Sequence, residues 1–318
     1  MGRPAIGFLL HPGEGDGTVA AAAEVASRCG YRTWTTMVRP LEDVAEHAEG
    51  TELLVTVGGD GTFLFGARLA APRDIAVLGV NRGRLGFLTD IELEELPAAI
   101  EAFAAGRTLR QRRSMLSAEI EGSEEGDGQG EPRAVLALND IAIRSPEVAL
   151  VRLRVEADQE LLGEFDADGV VIATATGSTG YALSAGGPPI DPRVRAITVV
   201  PLAPHAVITR PIVLPEVTVV DVAVEHGRVF VAADGQHQAR LGTGGRVRVS
   251  PGPELTVIRC AGSPSFRASC TTRSTSGCPS SPWNARRLMR PARMASREQA
   301  PRAQHPQLRA GPGYAPGL

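Results

Sequence analysis

Residues 52–90, ELLVTVGGDGTFLFGARLAAPRDIAVLGVNRGRLGFLTD, decide the fold of this 318-residue chain. The apolar runs at 53–57 and 75–80 are rich in β-branched residues and are typical of buried strands in a parallel sheet. The first run ends in the motif GGDGT (58–62), and an apolar stretch compatible with a helix follows. A strand, a glycine turn and a helix in this order present backbone N–H groups to phosphate. The stretch therefore predicts a phosphate-handling α/β domain.

Asp60 lies between glycines in this turn, where a carboxylate would repel phosphate. It needs another role, and accepting a proton from a hydroxyl nucleophile is the natural one. The alternative is that Asp60 only caps the helix that follows. A second turn, NRGRLGFL (81–88), ends the next strand. Because such turns line one crevice at the carboxyl ends of parallel strands, the two turns together favour the catalytic interpretation.

Repeated strand–helix units predict that residues 1–107 form an α/β domain with a parallel sheet. The segment GEGDGT (13–18) follows the first strand, but a lone glycine-rich turn is weak evidence for nucleotide binding. We interpret it as a mobile loop between a strand and a helix. Outside the central stretch, we expect strands at 5–11 and 32–38 and helices at 19–28, 41–48 and 92–105.

After Arg107 the sequence consists mainly of strand-like segments. Short strand-like runs separated by turn signals predict a β-rich, sandwich-like second domain over residues 108–262. An acidic glycine loop at 122–130 is typical of a solvated hairpin tip. Strands are expected at 112–121, 134–144, 151–157, 170–174, 196–200, 217–224, 229–232, 246–249 and 255–259.

The chain has no lysine, so all 33 of its basic residues are arginines. A Walker-type phosphate loop requires a lysine at a fixed place, which excludes P-loop kinase chemistry, and Schiff-base chemistry is excluded for the same reason. Phosphate must therefore be bound by arginine, backbone amides and a metal ion. The six histidines have no ligand spacing, so we expect no dedicated metal site.

Residues 263–318 differ from the rest of the chain. They contain nine arginines and a single acid, Glu298, but no Val or Ile. Such a segment cannot bury enough apolar area to offset ordering, so we expect a disordered Arg/Ser/Pro-rich tail. Alternatives are a segment that binds nucleic acid or acidic lipid, which its few aromatic residues disfavour, and a sequence in a shifted reading frame.

The apolar runs and the cysteines bear on where the protein is located. No apolar run approaches the ~20 residues that span a bilayer, and the first strand is too short for a signal-peptide core. The four cysteines are widely spread and form no CxxC pair. We therefore expect a cytoplasmic protein with no nucleic-acid or membrane partner.

Two motifs in the second domain have the chemistry of a dinucleotide site. Asn139 and Asp140 interrupt an apolar strand, and their donors and acceptors suit ribose hydroxyls or an adenine amino group. The alternative is a bulge or strand end where both side chains meet solvent. The longer motif, DGVVIATATGSTGYALSAGGP (168–188), opens from an apolar strand into hydroxyls and glycines with one tyrosine. Its helical start would point N–H groups at an anion or ribose, and Tyr181 could pack on a base or nicotinamide.

GGDGT, NRGRLGFL, the Asn-Asp pair and the 168–188 motif together resemble the NAD kinase family, of the bacterial ATP- or polyphosphate-dependent type. The resemblance runs in order from Ala5 to Arg259. One departure is Ala175, where the family usually has proline. This change loosens a turn but removes no polar group, so we expect a modest effect.

The resemblance implies a role for each matching residue. Asp60 would be the general base that activates the ribose 2′-hydroxyl, with Gly61 beside the substrate. Asn139 and Asp140 would hold the adenine and ribose of NAD. The dinucleotide pocket would be lined by Asp168, Thr179, Gly180, Tyr181, Ala182, Leu183 and Ser184, with weaker contacts from Ala203 and Gln236.

The resemblance also implies the reaction and the partners. NAD and ATP or inorganic polyphosphate would be the substrates, NADP the product, and the protein a homodimer or homotetramer. Because catalysis of phosphoryl transfer is chiefly positioning and charge neutralisation, Mg²⁺ or another divalent metal would arrive with the donor. The alternatives are another GGDGT-type kinase, related to diacylglycerol or sphingosine kinases, and a dinucleotide-binding sensor without catalysis.

Overall fold

The computed structural model describes residues 3–38, 44–82, 87–123, 133–146, 149–205, 210–260 and 266. The described strands form two sheets, one of seven strands and one of eleven, which belong to one compact unit. This arrangement confirms the predicted combination of an α/β domain and a β-rich second domain.

The first sheet has the strand order β2-β1-β3-β4-β18-β6, with β5 beside β4. Neighbours among β1 to β5 pair in parallel, as does β18 with β4, whereas β6 pairs antiparallel with β18. The strands are β1 (Ala5–Leu10), β2 (Arg32–Met37), β3 (Thr51–Gly58), β4 (Ala76–Asn81), β5 (Ile91–Glu92), β6 (Leu109–Arg113) and β18 (Leu255–Arg259).

Helices cover the first sheet because apolar residues recur on one side of each. Helix α2 packs closely on β3, since a Cβ placed on Gly66 would lie 2.5 Å from Cγ2 of Thr56. Phe63 and Leu69 of α2 are fully buried in that contact. The α-helices are α1 (Ala20–Arg28), α2 (Asp60–Ala70), α3 (Leu96–Ala104) and, in the second domain, α4 (Tyr181–Ser184); 3₁₀ turns cover Asp16–Val19, Glu46–Ala48, Ala71–Arg73, Leu93–Glu95 and Gly177–Thr179.

The second sheet runs β11-β10-β15-β17-β16-β9-β12-β13-β14, with β7 beside β17 and β8 beside β7. One face of this sheet encloses a single apolar core to which nearly all of its strands contribute. The strands are β7 (Leu116–Ser123), β8 (Arg133–Ala137), β9 (Asp140–Arg144), β10 (Val151–Ala157), β11 (Glu160–Ala167), β12 (Gly169–Thr174), β13 (Ala196–Leu202), β14 (Ile212–Pro215), β15 (Val220–His226), β16 (Val229–Ala233) and β17 (Gln236–Pro251).

The structure differs from the sequence expectations in its strand pairing. The predicted runs 112–121 and 134–144 are each split, because the chain turns at 114–115 and at 138–139. The assignment of the 255–259 strand to the second domain's sheet was wrong, because β18 belongs to the first sheet and pairs with β4 and β6. The strands β11 and β14 were not predicted. The division of the chain at residue 107 stays a prediction.

Some expectations concern residues outside the described ranges. These are the start of the predicted 41–48 helix, the centre of the second glycine turn (83–86), the hairpin tip at 124–130 and the tail at 263–318, apart from Phe266. Among the described residues, no helix is both long enough and apolar enough to cross a membrane.

Candidate active site

Asp60 is the first residue of α2 and directly follows the end of β3. Its half-buried carboxylate accepts hydrogen bonds from two successive backbone amides, with Oδ2 3.2 Å from N of Phe87 and Oδ1 3.2 Å from N of Leu88. The N-cap of this helix is Gly59, so Asp60 is not itself the capping residue. The amides of the second turn therefore fix the orientation of the carboxylate.

Gly79 explains why the second turn reaches Asp60. A Cβ on this glycine would lie 2.7 Å from the ring of Phe63 and 2.9 Å from the carbonyl oxygen of Leu88. Only a glycine lets the chain pass this close to β4. The backbone N of Asp90 then donates to the Gly79 carbonyl oxygen at 2.8 Å, which anchors the returning segment.

The strand order places Asp60 at the switch point of the first sheet. After β1 the chain crosses to β2 on one side, and after β3 it crosses to β4 on the other, so a crevice opens between the carboxyl ends of β1 and β3. Glu14 of the loop after β1 accepts a hydrogen bond from Thr18 and pairs with Arg82, which follows β4. The turns after β1, β3 and β4 thus meet at one edge, as parallel strands require.

Of the predicted pair, Asn139 lies between β8 and β9 and Asp140 is the first residue of β9, and Asp234 holds this turn. The Asp234 carboxylate accepts hydrogen bonds from the amides of Leu138 (3.1 Å), Asn139 (2.7 Å) and Asp140 (3.3 Å). In return, the Asp234 amide donates to the Asp140 carbonyl oxygen at 2.9 Å. Asp234 and Gly235 both have positive φ, 48° and 76°, and form the two-residue hairpin between β16 and β17.

The side chains of the turn are poised for a polar ligand. Asn139 Oδ1 is buried and has no hydrogen-bond partner among the described residues. Asp140 is only 5% exposed, and burial together with the nearby Asp234 raises the pKa of Asp140 to about 8. At neutral pH, Asp140 therefore holds a proton that it can donate. A buried acceptor and a buried donor lie side by side.

The hydroxyl-rich motif packs directly on this turn. Thr174 donates its amide to the Asn139 carbonyl oxygen (2.9 Å) and its hydroxyl to the Leu138 carbonyl oxygen (2.6 Å). The Thr174 hydroxyl in turn accepts from the amide of Gly177 at 3.0 Å. A Cβ placed on Gly180 would lie 3.9 Å from both Asn139 Nδ2 and Asp140 Oδ2. The two motifs therefore form one site.

Tyr181 begins α4 beside this site. Burial raises the pKa of Tyr181, the nearby Asp140 and Asp168 raise it further, and Arg144 lowers it. The phenol therefore lies near acidic side chains of both motifs and near Arg144 of β9. Asp168 is exposed, and its amide donates to the Leu202 carbonyl oxygen at 2.9 Å, next to Ala203.

The other predicted residues take different positions. Ala182 is fully buried against the second sheet, so its side chain belongs to the core, whereas Leu183 and Ser184 are exposed. The Thr179 hydroxyl donates to the Thr176 carbonyl oxygen at 3.4 Å. Gly61 is exposed beside Asp60, and Ala203 is exposed with a positive φ of 43°. The exposed Gln236 accepts a hydrogen bond from Arg68 through its amide oxygen at 2.9 Å.

Comparison with known proteins decides the family. Residues 30–108 match the ATP-NAD kinase N-terminal domain family, and residues 138–259 match the ATP-NAD kinase C-terminal domain family. The NAD kinase of Gemmatimonas aurantiaca is 39% identical over 239 residues, which are 71% of this chain and 80% of that protein. The chain belongs to the NAD kinase family. The NAD kinase of Heliobacterium modesticaldum is 38% identical over 200 residues, 62% of this chain and 69% of that protein.

Solved structures of NAD kinases share the fold. An NAD kinase from Archaeoglobus fulgidus, crystallised in complex with ATP, has a TM-score of 0.62 and 25% identity over 80% of this chain and 92% of that chain. Yeast NADH kinase in complex with NADH has a TM-score of 0.69 and 24% identity over 82% of this chain and 84% of that chain. Together with the two domain families and the curated relatives, they support the NAD kinase interpretation and not that of a lipid-directed GGDGT kinase.

Sequence reasoning missed three residues whose side chains bind the segments of this candidate site: Arg68, Arg113 and Asp234. Arg68 lies in the last turn of α2 and pairs with Asp234 at 3.2 Å. The buried Arg113 of β6 donates to the Thr176 hydroxyl at 3.4 Å; burial, with a contribution from Arg259, lowers its pKa to about 10. The Asp-Gly hairpin signal at 234–235 was visible in the sequence, whereas nothing local indicates the partners of the arginines.

Proposed function

We propose that this chain transfers the terminal phosphoryl group of ATP or inorganic polyphosphate to the 2′-hydroxyl of the adenosine ribose of NAD. Asp60 takes the proton of that hydroxyl as its oxygen attacks the terminal phosphorus. The bond from this phosphorus to the bridging oxygen breaks, and ADP or the shortened polyphosphate leaves with the bond's electron pair. The products are NADP and the shortened donor.

The position of Asp60 is the observation that carries the proposal. Its two carboxylate oxygens are fixed by the amides of Phe87 and Leu88 at the switch point of the first sheet. A fixed carboxylate at the mouth of a crevice suits a general base, because proton transfer requires the base within hydrogen-bonding reach of the hydroxyl. An N-cap role alone would not need these two partners.

The dinucleotide would bind at the turn of Asn139 and Asp140. The unpartnered Oδ1 of Asn139 suits the adenine amino group, and the protonated Asp140 suits an acceptor on the adenosine. Gly180 and Tyr181 would contact the same part of the ligand, and the exposed Asp168 would border the pocket. A buried acceptor without a partner is costly, so a ligand that satisfies it gains affinity.

A divalent cation would enter with the donor phosphates, whose charge it would neutralise. Among the described residues, no group of three or more His, Cys, Asp or Glu is arranged to hold a metal ion. We assign Mg²⁺ to the donor complex, where it would keep several waters. The expected homodimer or homotetramer and the cytoplasmic location remain part of this proposal.

The direct test is NADP⁺ formation by the purified chain with NAD and Mg²⁺, run in parallel with ATP and with polyphosphate. We expect a product whose new phosphate ³¹P NMR assigns to the ribose 2′ position. A parallel reaction with diacylglycerol tests the other GGDGT-kinase activity. Phosphorylation of the lipid and not of NAD would overturn the proposal. NAD binding without any product would also overturn it, in favour of a dinucleotide-binding sensor without catalysis.

A further inference from the structure

Arg68 and Asp234 form an ion pair between the two domains. Arg68 lies in the last turn of α2 and Asp234 lies in the β16–β17 hairpin. Arg68 Nη1 is 3.2 Å from Asp234 Oδ2, and Nη2 is 2.9 Å from Oε1 of Gln236. The side chains of Arg68 and Asp234 are 11% and 0% exposed. One guanidinium therefore binds both ends of the hairpin turn from the side of α2.

The same Asp234 carboxylate organises the Asn139–Asp140 turn. Its two oxygens accept the amides of three successive residues, Leu138, Asn139 and Asp140. Leu138 and Asn139 lie between β8, which ends at Ala137, and β9, which begins at Asp140, so the carboxylate binds across the whole connection. Asp234 thus accepts three amide hydrogen bonds from residues 138–140. It also forms an ion pair with Arg68 of the helix that begins with Asp60.

Apolar packing follows the same path. Leu138 is fully buried in the same core cluster as Phe63 and Leu69 of α2. Helix α2 and the 138–139 connection therefore share one apolar core, and Arg68 at the end of the helix binds Asp234. Because Asp60 and Arg68 are eight residues apart on one helix, the axial distance between them is about 12 Å.

We propose that Arg68 and Asp234 are positioning residues that set the Asn139–Asp140 turn at a fixed distance from the carboxylate of Asp60. This inference rests on the proposed function, in which one dinucleotide must contact both places. A small misplacement of a reacting hydroxyl from its base reduces turnover strongly. Breaking the pair should therefore weaken NAD binding and also lower kcat.

The variants Arg68→Met, Arg68→Lys and Asp234→Asn test the pair, together with the double variant Arg68→Met/Asp234→Asn. The matched control is Arg248→Met, which removes an Arg–Asp pair of the same chemistry: Arg248 Nη1 is 3.1 Å from Asp221 Oδ1, but both residues lie within the second sheet. For each variant, the Kd of NAD is measured calorimetrically without donor, and kcat and KM are measured by NADP⁺ formation. Backbone hydrogen exchange over 138–140 reports the turn without any ligand.

We expect Arg68→Met to raise the Kd of NAD about tenfold and to lower kcat about tenfold, with faster exchange of the amides at 138–140. Arg68→Lys keeps one charged contact and should recover part of both losses. The double variant should be no worse than Asp234→Asn, because both changes break one connection. Arg248→Met should leave all three readouts unchanged.

Arg68→Met that folds and keeps wild-type Kd, kcat and exchange would overturn the inference, as would additive losses in the double variant. If Asp234→Asn does not fold, the two Arg68 variants and the exchange data still decide the matter. A wild-type chain that binds NAD but forms no NADP⁺ refutes the proposed function alone. In that case, Kd and exchange still test the positioning pair.

Discussion

Gly177 lies against Asn139 so closely that a Cβ placed on Gly177 would be 2.0 Å from the Asn139 carbonyl oxygen and 2.4 Å from its carbonyl carbon. These are backbone atoms, which cannot turn aside as the end of a side chain can. The contact seats the hydroxyl-rich turn of the 168–188 motif on the Asn139–Asp140 turn. The two segments therefore keep their relative position before any ligand binds.

Gly177→Ala should separate these two segments. Because the added methyl group has no space, we expect the free energy of unfolding to fall by about 1–3 kcal/mol and the affinity for NAD to fall with it. Urea unfolding and calorimetric titration with NAD measure the two effects. Gly15→Ala is the control, since no heavy atom lies within 4 Å of a Cβ there. Unchanged stability and NAD affinity in Gly177→Ala would contradict this account.

Asp60→Asn tests the proposed general base. The amide keeps the size of the side chain and can still accept a hydrogen bond from Phe87 or Leu88, so we expect the fold and the Kd of NAD to be preserved. Loss of the base should lower kcat by roughly 10²- to 10⁴-fold or abolish turnover. Glu24→Gln, the same change on the exposed face of α1, should keep full activity. Near-normal turnover by Asp60→Asn would refute the role.

The first domain could be predicted from its sequence because its signals are local. The run 53–57, the GGDGT turn and the following helix are consecutive, and β3 and α2 lie where that pattern places them. The prediction that the two glycine turns line one crevice followed from the rule that parallel strands end at one edge. The partners themselves, the amides of Phe87 and Leu88, depend on Gly79 and could not be read from spacing.

The connections between the domains could not be predicted. The sequence LTVIR (255–259) is equally suited to either sheet, and only its pairing with β4 and β6 places it in the first. The hydrogen bonds from the amides of 138–140 to Asp234 join residues 94 to 96 positions apart. Arg68 resembles any other helical arginine until the hairpin is in place. Local propensity carries no information about such contacts.

Asp90 ties the end of the second turn to the last strand of the first sheet. Its side chain is 1% exposed, with Oδ1 2.8 Å from Nε of Arg259, and Oδ2 accepts the amide of Cys260 at 2.8 Å. Asp90→Asn removes a buried charge that pairs with Arg259, so we expect a loss of about 3 kcal/mol in the free energy of unfolding. Urea denaturation provides the measurement.

Asp221→Asn makes the same change at an exposed ion pair and is the comparison. The side chains of Asp221 and Arg248 are 32% and 54% exposed, so solvent screens their attraction. We expect a loss below about 1 kcal/mol, which added salt reduces further. Equal losses in Asp90→Asn and Asp221→Asn would show that burial does not decide the strength of these pairs.

Asp140 should make the stability of the protein depend on pH. Burial and Asp234 raise its pKa to about 8, whereas an aspartate in the unfolded chain titrates near pH 3.9. The folded state therefore holds this proton more tightly than the unfolded state does. The stabilisation is complete below about pH 4 and is lost as the pH rises through about 8, where the buried group becomes charged.

Asp140→Asn keeps the shape of the neutral side chain and cannot ionise. We expect wild type and variant to unfold with similar free energies near pH 4, and the variant to become the more stable of the two, by a few kcal/mol, as the pH rises towards 9. Urea unfolding of both proteins between pH 4 and 9 measures the difference. Parallel curves across this range would mean that Asp140 is already ionised in the folded protein, and its proposed donation of a hydrogen bond to NAD would then fail.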